Sequence, residues 1–145
     1  MNKTLKYFLL GTLFWFVVDF TTTEAIKNPV DYYSIFMPTL LIFYLGCPLV
    51  FSLLIYKFKL SNKMLFAATL VEILIVEILF TNNSLLYTFP IMLLTIPLAI
   101  SIYSFLAFVP KWIIDNELKK NKWKLIIMVA VYFLISLATL FGSGS

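Results

Sequence analysis

The chain has 145 residues, of which 62% are apolar, 18% aromatic and only 12% charged, with a mean hydropathy of +0.99. Soluble domains carry about a quarter charged residues, so this composition leaves too little polar surface to wet a folded exterior, and lipid is the expected solvent. The net charge of +4 rests on eleven lysines with no arginine or histidine and one cysteine, Cys47, which excludes a His-ligated metal or haem, a Ser–His or Cys–His catalytic pair, an intrachain disulfide and a guanidinium clamp on phosphate.

A membrane-crossing helix needs about 20 mostly apolar residues. Five segments answer to that, at about 5–21, 35–56, 64–80, 85–109 and 125–141. Lys3 and Lys6 precede the first, which carries Asp19 near its far end. The same start also fits a cleaved signal peptide over residues 1–25, a reading that its bulky aromatic core disfavours. The connection that follows holds Lys27 with Glu24 and Asp31.

The second span places Pro38 near its start, where a missing amide donor costs little, and Tyr44, Cys47 and Pro48 deeper. Lys57, Lys59 and Lys63 fill the next loop. The third span holds Glu72 and Glu77 and ends in the uncharged Thr81-Asn82-Asn83-Ser84. The fourth has Pro90 near its start, then Pro97, Ser101 and Tyr103. Pro48 and Pro97 each free a carbonyl about one turn upstream, which makes them hinge candidates.

In the fourth loop Trp112, Ile113, Ile114 and Leu118 alternate with Asp115, Glu117 and lysines, a pattern that fits a short amphipathic helix at the interface. Trp112, Lys119, Lys120, Lys122, Trp123 and Lys124 would then contact anionic lipid headgroups, although ordinary placement of lysines on one side explains them more simply. The fifth span carries Tyr132 and Ser136, and residues 142–145 read as a flexible linker outside the domain 1–141.

On five spans, ten of the eleven lysines fall on one side and only Lys27 on the other. The expected fold is therefore an all-α, polytopic five-transmembrane-helix bundle of the cell membrane, with the N-terminus cytoplasmic and the C-terminus outside.

Within it, Asp19, Glu72 and Glu77 stand out, because a carboxylate in hydrocarbon is costly and functional by default. Counted at 1.5 Å per residue from the nearest lysine, Asp19 and Glu77 lie about 20 Å above the inner anchors, and Glu72 about 13 Å. Tyr44 and Ser136 share the upper level; Cys47, Ser101, Tyr103 and Tyr132 share the lower. Glu72 and Glu77 are five residues apart, about 140° around an α-helix, so they face one site only if the helix is distorted. No lysine falls inside a span, so Glu72 either stays protonated and donates a hydrogen bond to Tyr103, Ser101 or a carbonyl freed at a proline kink, or holds a cation or proton in transit, or meets a basic group on another subunit.

No catalytic constellation, metal-ligand set or cofactor motif is present, and nothing points to nucleic acid. Three functional readings follow, ranked by their support in the sequence. The first is a non-enzymatic accessory subunit packed against a membrane partner or a second copy. The second is an oligomeric proton- or cation-coupled transporter or channel using Glu72. The third is an intramembrane lipid-processing enzyme using Asp19, Glu72 and Glu77.

Overall fold

The computed structural model describes residues 1–142, so Gly142 is included and the rest of the expected linker lies outside the described residues. The described chain is all helical. Helix α1 covers Lys3–Thr22 and opens on Asn2, whose side chain accepts from Leu5 N at 2.8 Å. Helix α2 covers Pro29–Ser52 and continues as a wider π-helix over Leu53–Lys57. Helix α3 covers Asn62–Ile73, capped by Ser61, and likewise continues as a π-helix over Leu74–Phe80. Helices α4, Met92–Ile114, and α5, Lys122–Phe141, complete the bundle.

Four helical stretches are long and apolar enough to cross a membrane, namely Lys3–Thr22, Pro29–Lys57, Met92–Ile114 and Lys122–Phe141. The stretch 62–80 is also continuous helix, but it carries Lys63, Glu72 and Glu77. The outer surface is covered with exposed Leu, Ile, Val and Phe, such as Ile42, Leu79 and Phe133. An apolar surface of that extent is stable only against lipid or another apolar body.

Three boundaries differ from the sequence expectation: α2 starts early, at Pro29, and both ends of the fourth helix move. The fourth helix begins at Met92, because residues 84–91 form a short 3₁₀ turn at Ser84–Leu86 and further turns around Pro90. It then runs to Ile114, and residues 115–121 turn back into α5, so no separate amphipathic helix forms in the fourth loop. Trp112, expected at headgroup depth, is only 3% exposed within the bundle, whereas Trp123 is exposed. Pro38, expected near a helix start, lies well inside α2, as Pro110 does inside α4.

Helix α1 is the central element. It packs against α2, α4 and α5, and α3 closes the bundle by packing on α4. The close approach of α1 and α2 depends on Gly11, where a Cβ would sit 3.1 Å from Pro48 Cβ. Helix α5 is peripheral, with no buried residue. It is tied to α1 by Tyr132 and Thr21, whose hydroxyls are 2.6 Å apart, and by Thr139 Oγ1, which donates to Thr22 O at 3.3 Å.

The lysine-rich end is sealed by an ion cluster. Lys3 Nζ lies 2.8 Å from Asp115 Oδ1, and Lys111 Nζ lies 3.4 Å from Asp115 Oδ2 and 3.2 Å from Glu117 Oε2. Burial alone would raise the Asp115 carboxyl, but the Lys3 hydrogen bond and the charges of Lys111 and Lys3 outweigh it and hold the group below its ordinary range.

Candidate functional site

At the end of the bundle opposite the ion cluster, α1, α3 and α4 enclose a cavity of about 350 Å³. Two carboxylates face it, Asp19 from the last turn of α1 and Glu77 from the π segment of α3. Thr22, Thr23, Asn83 and Thr95 add polar edges, and Trp15, Val18, Ile102 and Leu106 supply apolar walls. Among the described residues, no lysine lines it.

Each carboxylate is held by neutral donors. Tyr44 donates to Asp19 Oδ2 in a short hydrogen bond, and Tyr32 donates to the same oxygen at 3.1 Å. Tyr103 donates to Glu77 Oε1 at 2.6 Å, and Asn83 Nδ2 donates to Oε2 at 3.0 Å. A carboxylate offers about four acceptor positions, so both groups are oriented while keeping capacity toward the cavity. Trp15 meets Tyr103 edge-on, ring centroids 5.6 Å apart, and braces that tyrosine from below.

Glu77 reaches this cavity because of the π segment. In an i→i+5 ladder, residues five apart lie nearly above one another, and such insertions recur at functional sites. Thr81 N bonds to Val76 O at 3.0 Å in that register. The distortion that the five-residue spacing demanded is thus present, and both glutamates turn toward the bundle interior.

They do not share one cavity. Glu72 is 7% exposed and lines a separate gap, too narrow for water, with Tyr7, Gly11, Cys47 and Pro48. Trp15 and Leu106 stand between that gap and the larger cavity, lining both. Glu72 Oε2 has no hydrogen-bond partner among the described residues, and neither do the Ser101 and Ser136 hydroxyls. The hydrogen bonds expected from a protonated Glu72 to Tyr103 or Ser101 are not formed, and Tyr103 bonds to Glu77 instead. The depth count set Tyr103 at the level of Glu72, whereas its hydroxyl reaches Glu77 in the next layer.

Of the residues named from sequence, the cavity brings together Asp19, Glu77, Tyr103 and, through Asp19, Tyr44. Cys47 and Pro48 lie beside Glu72, and Pro97 is exposed on α4 away from both. Sequence reasoning missed Tyr32 altogether as a site residue and placed Asn83 only in an uncharged loop. Their signal was position, since Tyr32 lies in the first turn of α2 and Asn83 caps the 3₁₀ turn at Ser84–Leu86. No group of three His, Cys, Asp or Glu capable of holding a metal occurs among the described residues. No family model, curated protein or solved structure matches the chain.

Proposed function

We propose that this is a five-span membrane protein, lysine-rich end in the cytoplasm, whose outward cavity binds a small organic cation as the substrate site of a carrier. One observation carries the reading: Asp19 and Glu77 face the same cavity, held by neutral donors and with no lysine on its wall. Two carboxylates without a counter-charge are costly in a membrane interior unless a cation completes them. The cavity is far larger than a bare ion and lies within the range of small-molecule pockets. Its apolar wall includes Trp15, an indole face suited to an ammonium group.

Counting 62–80 as a span is supported by its length, about 28 Å of helix against about 30 Å of hydrocarbon. Its two glutamates face protein rather than lipid. The orientation follows from the ten lysines grouped at one end.

The enzyme reading needed three carboxylates to converge, and Glu72 lies apart.

The test is a titration of purified protein with 1,4-diaminobutane, methylammonium and Na⁺, following Trp15 fluorescence in a Trp112→Phe/Trp123→Phe background. Saturable responses to the amines, lost in Asp19→Asn and Glu77→Gln and kept in Glu72→Gln, are expected. No saturable response, or one that survives both carboxylate variants, would overturn the proposal.

A further inference from the structure

Helices α2 and α3 follow one another through a short loop, yet α2 packs on α1 and α3 on α4, leaving a lateral groove between them. Its exposed wall is apolar, built from residues such as Ile42, Gly46, Val50, Leu54, Ala68 and Val71. Glu72 shows the groove only its carbon stem. Nothing lies within 4 Å of a Cβ added at Gly46, so the groove is open there.

From Ile42 to Leu54 the groove follows 12 residues of α2, about 18 Å. Its volume is about 500 Å³ and its lining is wholly apolar, a surface that a flexible hydrocarbon chain can follow along its length. The length also matches one leaflet, half of about 30 Å of hydrocarbon. Phe43 and Phe80, ring centroids 5.5 Å apart, meet edge-on at the far end and close it.

The other end is charged. Lys57 lies three residues beyond Leu54, and Lys63 five residues before Ala68, with Lys59 in the loop between. All three are exposed, and none forms an ion pair among the described residues. Helix α3 starts at the same place, adding the positive end of its dipole at Asn62 and Lys63.

We infer that this groove is a binding site for one anionic phospholipid, with an acyl chain between α2 and α3 and its phosphate on Lys57, Lys59 and Lys63. The site is separate from the carboxylate cavity and from the lysines at positions 119–124. Charge complementarity at one end and an apolar, leaflet-long channel behind it point to the same ligand.

The test is native mass spectrometry of the full chain released from nanodiscs containing equal phosphatidylglycerol and phosphatidylcholine. One phosphatidylglycerol should be retained at least fivefold over phosphatidylcholine. The triple variant Lys57→Gln/Lys59→Gln/Lys63→Gln should bring the two lipids to parity, while Lys119→Gln/Lys120→Gln should leave the preference intact. Gly46→Leu, which fills the groove without touching the lysines, should reduce retention of both lipids at least fivefold. Parity in the unaltered protein overturns the inference, as does a preference that survives the triple variant or falls equally with the Lys119/Lys120 pair. Retention unchanged by Gly46→Leu, or a disulfide between two copies through Gly46→Cys, overturns it as well.

Discussion

Asp115 and Asp19 show how different surroundings assign different work to the same side chain. Asp115 sits among Lys3, Lys111 and the Tyr56 hydroxyl, so its charge is matched within the chain and its role is to tie α1 to α4. Its carboxyl titrates lower in the folded protein than the ordinary value of about 3.9. The ion pairs therefore contribute in full above that value, and their contribution is lost as pH falls through the lower folded one. Melting temperatures of the unaltered protein and Asp115→Asn should differ by a constant amount between about pH 7 and 5, and converge below about pH 4. A gap that does not narrow at all as the pH is lowered below the ordinary carboxylate range would assign the effect to packing instead. Among the described residues Asp19 pairs with no cation and is held by Tyr32 and Tyr44. From sequence, Asp19, Glu72 and Glu77 stood out because charge is expensive in hydrocarbon. Their partners did not, since a tyrosine hydroxyl projects well beyond its own helical level and a depth count follows only the backbone.

At the level of single elements, the π segment of α3 has the largest consequence. Regular α geometry would set Glu77 about 140° from Glu72 and turn one of them to lipid. The wider turn over Leu74–Phe80 absorbs one residue and keeps both inside. Deleting Leu74, which is exposed, would leave the glutamates four apart on a regular α-helix, still on one face. Amine affinity should then stay within about threefold of the original, whereas Glu77→Gln abolishes it. Loss of binding in the deletion variant would show that the π turn itself, and not the facing of Glu77, is required. The sequence posed this question through the spacing but could not answer it, because α and π turns differ by one backbone register and share the same side-chain preferences. The proline positions were legible in the same partial way. Pro48 was identified as deep in its helix, but its packing against Gly11 depends on which helix lies opposite. That is a property of the bundle.

For the molecule as a whole, the apolar segments were readable because length and hydropathy alone define them. Three helices lie close to the expected bounds; α2 starts early, at Pro29, and the fourth starts late because Leu85–Ile91, although apolar, turns around Pro90. What periodicity could not give was the order of helices around α1. That order sets Asp19 opposite Glu77 and leaves α2 and α3 apart. The resulting picture is polarised. An ion cluster and exposed lysines occupy one end, an uncompensated pair of carboxylates the other, and a dry gap around Glu72 separates them.

The most direct measurement is labelling of Thr22→Cys, at the rim of the carboxylate cavity, in a Cys47→Ser background on intact cells with a membrane-impermeant maleimide. The cysteine should be labelled from outside, and 1,4-diaminobutane should slow the reaction at least tenfold, with protection lost in Glu77→Gln. Labelling only after the membrane is permeabilised, or at a rate that the amine leaves unchanged, would contradict an outward cavity that binds organic cations.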